Sequence, residues 1–147
     1  MNLVDVHAHL DHDQFKNDID QVVERARKAG IKHILTSGVN SITNRNILEI
    51  AKKYDVVHPT FGIYPIDALA KELEEGEAIG FARDIQAFDI DKEIEWIIKN
   101  KDKCAGIGEV GLDFNWGREH EKEQKENFQK VIALAEKIKK PIIVHTR

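Results

Sequence analysis

The sequence predicts an α/β protein of the (β/α)8 TIM-barrel type, of which it holds about the first five βα units. Three observations carry that expectation. Five short apolar runs alternate with stretches of helical period, the spacing of right-handed βα crossovers and so of a parallel sheet. His7 and His9, Glu109 and His145 fall at the C-terminal ends of three of those runs, on the rim where a barrel gathers its functional groups. The turn after the first run reads His9-Leu10-Asp11-His12-Asp13, whereas an open doubly wound sheet usually carries a glycine-rich phosphate loop there. A complete barrel needs eight strands and typically about 250 residues. These 147 residues supply five strands with no linker or low-complexity segment, and read as one incomplete domain over 1–147.

The elements follow in order. The first strand spans about 3–9, and alternation puts His7 and His9 on one face with Val4, Val6, Ala8 and Leu10 on the other. A helix over 18–29 follows, with Asp18 as N-cap, Ile19, Val22, Val23 and Ala26 as its buried stripe, and Gly30 just past its end. Strand two is 31–37. Ser41 reads as the N-cap of the next helix, whose Ile47, Leu48, Ile50 and Ala51 keep a 3.6 period. Strand three is 56–63 and ends at Gly62-Ile63-Tyr64-Pro65; a short helix over 66–73 and a loop or short helix over 77–88 come next. Asp89 or Asp91 caps a helix with Ile94, Ile97 and Ile98 inward. Strand four is 104–110, then a long helix over 119–139 carries Phe128, Val131, Ile132, Ala135 and Ile138 on one stripe, with 118–126 as a solvated face. Pro141 opens strand five, 142–145.

Composition narrows the function classes. The net charge of −4 gives no general attraction to nucleic acid, although bound cations would supply positive charge locally. The single Cys104 excludes a disulfide within the sequence, and no apolar stretch approaches the ~18 residues of a membrane helix, so no membrane partner is expected and the cytoplasm is the expected compartment.

The chemistry sits at the strand ends. Two imidazoles in His-x-His register on one strand face are a start on a metal site. Asp5 lies one pleat deeper on that face, as a partner for an imidazole or as a polar residue of the barrel floor. Glu109 stands in the glycine-rich run Gly106-Ile107-Gly108-Glu109-Val110-Gly111, where an unpaired carboxylate would be costly to bury and two divalent cations sharing it would offset that cost. His145 ends an aliphatic strand, and Arg147 beyond it reads either as a clamp on a phosphate oxygen or as a solvated residue at a frayed terminus. His12 stands in the first loop, within reach of a substrate. His33, His58 and His120 read as structural, with His120 exposed, and Phe114 and Trp116 as walls of a substrate cleft.

Four motifs in order, V-D-V-H-A-H-L, G-I-Y-P, G-E-V-G-L-D and P-I-I-V-H-T-R, resemble the TatD-family metal-dependent deoxyribonucleases, which belong to the amidohydrolase-like barrels. The resemblance covers the whole sequence. It implies a hydrolase that cleaves DNA phosphodiester bonds with a metal-activated water and two divalent ions (Mg, Mn or Zn). It implies that His7 and His9 hold one ion, that Glu109 bridges both as the central catalytic carboxylate, and that His145 binds the second. It also implies a His after strand six and an Asp general base after strand eight, positions beyond Arg147, so the 147 residues alone are expected to be inactive. Tyr64 and Asp113 join Arg147 as expected substrate contacts; relatives often carry His where Tyr64 stands, and Asp113-Phe114-Asn115-Trp116 departs from the usual aromatic pair. Two other classes remain open. One is another metal-dependent barrel hydrolase, a PHP-like phosphoesterase or a carbamate-bridged amidohydrolase, though the first lacks its Ser-Asp-Gly-like motif here and the second would want Lys at Glu109. The other is a non-catalytic part-barrel that self-associates through its open edges.

Overall fold

The computed structural model describes residues 2–70, 85 and 87–147. Five parallel strands lie in sequence order: β1 (Leu3–Ala8), β2 (Ile31–Ser37), β3 (Val57–Ile63), β4 (Gly106–Leu112) and β5 (Ile142–Thr146). Helices α1 (Ile19–Lys28), α2 (Ser41–Lys53), α3 (Pro65–Ala68), α4 (Ile90–Lys99) and α5 (Glu121–Ile138) fill the crossovers. Of the expected helix over 66–73, residues 66–68 fall in α3 and 71–73 lie outside the described residues, as does most of the expected loop or helix at 77–88.

The sheet curls. In a flat sheet β1 and β4 would stand about 14 Å apart, three spacings of about 4.8 Å. Here His7 on β1 and Glu109 on β4 bring side-chain atoms within 3.6 Å. The strands pair in parallel, with Ile34 beside Val57, Thr60 beside Gly106, and Gly111 beside His145.

Helices α2, α4 and α5 close over the outer face of the sheet. Ile47, Phe61, Ile97, Ile107 and Val110 are fully buried in the main apolar cluster, joined by Val131, Leu134 and Ile138 of α5. A second cluster ties α1 to the first strands through Val23, Leu10, Ile34 and Val57, with Ile19, Val22 and Ala26 packed against it. β1 and β5 each pair with one neighbour among the described residues, and Val4, Val6 and Val144 on them are exposed.

Two local expectations need correcting. The N-cap of α2 is Asn40, not Ser41: its side chain accepts from the amides of Ile42 and Thr43, and Thr43 Oγ1 accepts from the Asn40 amide, a reciprocal capping box. β4 starts two residues later than expected and runs on through Leu112, because Gly111 and Leu112 continue the ladder against β5. Asp18 does stand at the N-terminus of α1, but without a side-chain cap bond, while Asp89 caps α4 through the amides of Asp91 and Lys92. Gly30 has φ 90° past the end of α1, a conformation that glycine takes without steric cost.

Candidate metal centre

β1 ends by presenting two imidazoles with their inner nitrogens anchored. His9 Nδ1 lies 2.9 Å from the Ser37 carbonyl oxygen, which can only accept, so Nδ1 carries a proton and Nε2, which faces Glu109, is the nitrogen that would serve a cation once it gives up its own. His7 Nδ1 lies 3.3 Å from Ser37 Oγ, and Ser37 Oγ in turn bonds Thr60 Oγ1 at 2.9 Å in the buried floor. Both outer nitrogens face one oxygen: Glu109 Oε2 is 3.6 Å from His7 Nε2 and 3.3 Å from His9 Nε2. The other carboxylate oxygen, Oε1, is 2.7 Å from Nδ1 of His145 on β5. Glu109 therefore shows one oxygen to the β1 histidines and the other to the β5 histidine.

Its environment keeps this carboxylate charged. Burial opposes ionisation of Glu109, but the hydrogen bond to His9 and the fields of His145, His9 and His7 outweigh it and hold the carboxyl below its ordinary range. His9 is correspondingly raised, chiefly by the bond to Glu109 against the opposing effect of burial.

A divalent cation suits this donor set. Among the described residues, His7, His9 and Glu109 offer ligand atoms that all lie within 4.8 Å of one another. Two ligand bonds of about 2.0–2.1 Å at ordinary coordination angles set neighbouring donors about 3.0–3.4 Å apart, close to the separations seen here. Neutral imidazole with carboxylate suits Zn and other transition divalents, and carboxylate also suits Mg and Mn.

Asp113, expected at the substrate, is fully buried beneath His145 and does not face the cleft. Its Oδ2 accepts from the Tyr64 hydroxyl at 2.6 Å and from Arg147 Nη2 at 2.8 Å, and lies 3.1 Å from His145 Nε2. Burial opposes its charge, but Arg147, Tyr64 and the Asn115 amide prevail and lower its pKa. Burial and the Asp113 carboxylate both push the Tyr64 hydroxyl up, so it stays a proton donor. Arg147 is spread between Asp113 and the solvent, with its side chain nearly half exposed.

Above these groups opens a cleft of about 510 Å³ whose lining includes His9, His12, Asn46, Tyr64, His145 and Arg147. Trp116 instead packs with Tyr64, Ile66 and Leu69 in a separate apolar cluster. His12 reaches the cleft with Nδ1 accepting from the Gln14 amide. Asp5 accepts from the backbone of His7 rather than from an imidazole. His33 and His58 bond each other at 2.8 Å, away from the centre, and His120 is half-buried rather than exposed.

Sequence reasoning missed the polar supports. Ser37 and Thr60 hold His7 in place, and Thr36 Oγ1 accepts from the Leu10 amide to fix the loop after His9. Three hydroxyl residues on the adjacent strands β2 and β3, Thr36, Ser37 and Thr60, were the available signal. Gln124, within the run read as a solvated face, is buried and clamps both the amide and the carbonyl of Asp113.

The chain is 31% identical over 147 residues to the uncharacterized metal-dependent hydrolase YabD of Bacillus subtilis, covering 99% of this chain and 51% of that protein. It is 30% identical to the 3'-5' ssDNA/RNA exonuclease TatD of Salmonella typhimurium, covering 99% and 50%. The crystal structure of YJJV, a TatD homologue from Escherichia coli, superposes with a TM-score of 0.78 at 20% identity, over 99% of this chain and 51% of that one. The fold is thus that of a TIM-barrel relative, and the chain spans about half the length of the proteins it matches. No helix among the described residues is long and apolar enough to cross a membrane. Residues 4–147 match the family described as TatD related DNase, and the chain belongs to that family.

Proposed function

We propose that the barrel to which these residues contribute hydrolyses DNA phosphodiester bonds, with two divalent cations held by His7, His9, Glu109 and His145. The observation that carries this reading is the two-sided Glu109, with Oε2 toward His7 and His9 and Oε1 toward His145. When bound, such cations supply Lewis acidity that makes a water nucleophilic near neutral pH and offsets charge on the phosphoryl oxygens. The residues do the rest. His7 and His9 keep Nε2 directed at the centre because Ser37 holds their other nitrogens. Arg147 binds a phosphate oxygen from the cleft wall, and Tyr64 lines the substrate cleft beside it while its hydroxyl proton goes to Asp113. The name of the Salmonella relative supports a nucleic-acid substrate.

A His and an Asp general base after strands six and eight belong to this reading and lie beyond these residues, so the 147 residues alone are expected to lack most of the activity. The sheet edges at β1 and β5, each unpaired on one side among the described residues, and the exposed Val4, Val6 and Val144 favour self-association, which light scattering at micromolar concentration checks. A cytoplasmic location fits the single cysteine.

The test is to assay the chain, and a version extended to its natural stop codon, with Mg²⁺ or Mn²⁺ on single- and double-stranded DNA. Cleavage by the extended protein supports the reading. An extended protein that leaves DNA intact but hydrolyses an amide or a phosphomonoester overturns it, and full activity of the short chain overturns the claim that the later strands are needed.

A further inference from the structure

We propose that Asp113 is a positioning residue that keeps the proton of His145 on Nε2, so that Nδ1 is the nitrogen offered to a cation. This rests on the metal-centre reading above and adds which atom of His145 serves it and what sets that choice.

The geometry points one way. The His145 ring lies between two carboxylates, with Nδ1 2.7 Å from Glu109 Oε1 and Nε2 3.1 Å from Asp113 Oδ2. Glu109 is the carboxylate that also faces His7 and His9, so the nitrogen turned toward the centre is Nδ1. The nitrogen turned away meets Asp113, and an ionised carboxylate only accepts. Among the described residues, every other group bonded to the Asp113 carboxylate is a donor. Tyr64 Oη and Arg147 Nη2 reach Oδ2 at 2.6 and 2.8 Å, and the Asn115 amide reaches Oδ1 at 3.0 Å. With those donors in place, a proton resident on Asp113 would lose bonds, and the proton shared with His145 belongs on Nε2.

Tyr64 does not take over this task. Its hydroxyl is 3.4 Å from His145 Nε2, and its proton points to Asp113. Its effect on His145 is therefore indirect: Tyr64 and Arg147 fix the carboxylate from one side. Gln124 fixes the backbone from the other, accepting from the Asp113 amide at 2.7 Å and donating to its carbonyl at 2.9 Å. A carboxylate that orients a metal-binding imidazole through its second nitrogen raises the ligand's basicity, and losing one typically costs 10–100-fold in metal affinity.

The test reads the ring nitrogens directly. Magic-angle-spinning NMR of the sedimented, [¹⁵N]histidine-labelled chain reports which nitrogen carries a proton and which binds Zn²⁺, whatever the association state. The His145→Gln variant identifies the His145 signals. The expected result is a proton on Nε2 both without metal, whatever proton Nδ1 then shares with Glu109, and with Zn²⁺, which takes the place of any Nδ1 proton and shifts the Nδ1 signal. Asp113→Asn is expected to mix the tautomers and to weaken Zn²⁺ binding about 10–100-fold. Tyr64→Phe should keep the tautomer with a smaller loss of affinity. An unprotonated Nε2 in the wild-type chain, or Zn²⁺ on Nε2, overturns the assignment with no variant needed. An Asp113→Asn protein with the wild-type tautomer and affinity within twofold also overturns it. If Zn²⁺ does not reach His145 at all, the metal-centre reading fails and this role fails with it.

Discussion

Gly62 on β3 approaches Glu109 on β4 so closely that a β-carbon at position 62 would fall 2.5 Å from the Glu109 backbone nitrogen. It would also fall 2.0 Å from the Gly38 carbonyl oxygen, which accepts the Glu109 amide at 2.9 Å. The neighbours are backbone on both sides, so no side chain can swing away. The glycine before Ile63-Tyr64-Pro65 is thus explained by the seat it leaves for the central carboxylate. Gly62→Ala is expected to displace Glu109 and weaken Mn²⁺ binding at least tenfold by calorimetry. An unchanged affinity in a folded variant would show that the seat is not needed.

His33 and His58 make a second testable pair. Burial, and then the neighbouring His33, lower the pKa of His58, with Asp55 acting in the opposite direction. The unfolded chain titrates near the ordinary 6.5. Below that value the unfolded state binds a proton that the native state resists, so native stability falls as pH drops through 6.5 and is fully present above it. The urea midpoint of the wild-type chain should therefore fall between pH 7.5 and pH 5.5 by more than that of His58→Gln. Equal changes in the two proteins would remove the pair from the account.

Glu93 of α4 is buried against α2, where Asn44 Nδ2 donates at 2.8 Å and Arg45 Nη1 reaches both carboxylate oxygens. Arg45 also lies 3.9 Å over the Trp96 ring. Arg45→Met leaves a buried carboxylate with one neutral donor, and the expected loss is about 2 kcal/mol of unfolding free energy. Chemical denaturation measures it. Because Arg45 is itself part-exposed, a loss below about 0.5 kcal/mol would mean that solvent already screens the pair.

The sequence was most legible where a residue's local pattern and its tertiary fate agree. Strand two and the stripes of α1 and α4 were of that kind, because burial of Val23 and Ile97 is what their period demands. The ligand candidates His7, His9, Glu109 and His145 were legible for a related reason: a strand end in a parallel barrel fixes which rim a residue joins before its partners are known. Adjacent cap residues were harder. Asn40 and Ser41 are both good N-caps, and only Thr43, three residues past Asn40, favours the first. Long-range polar supports were hardest. Tyr64 and Asp113 are 49 residues apart, and nothing near either one announces the other. Gln124 stands among Glu and Lys residues that do face water, and its burial comes from the turn it straps.

The two sides of Glu109 make a final prediction about number. His7 and His9 share Oε2 while His145 alone faces Oε1, so the loss of His145 should empty one side and spare the other. Manganese titration of the wild-type chain is expected to give two sites, the one at His145 weaker because a single imidazole serves it within these residues. His145→Ala should leave one site with affinity within about threefold of the stronger wild-type site, and His9→Ala should weaken that stronger site by about 10–100-fold, the range typical of losing a group that fixes a metal ligand and a lower bound for losing the ligand itself. One site in the wild-type chain, lost equally in both variants, would mean that Glu109 serves a single ion with all three histidines around it. In that case Oε1 and Oε2 act on one cation, and the two-ion reading gives way to a one-ion centre.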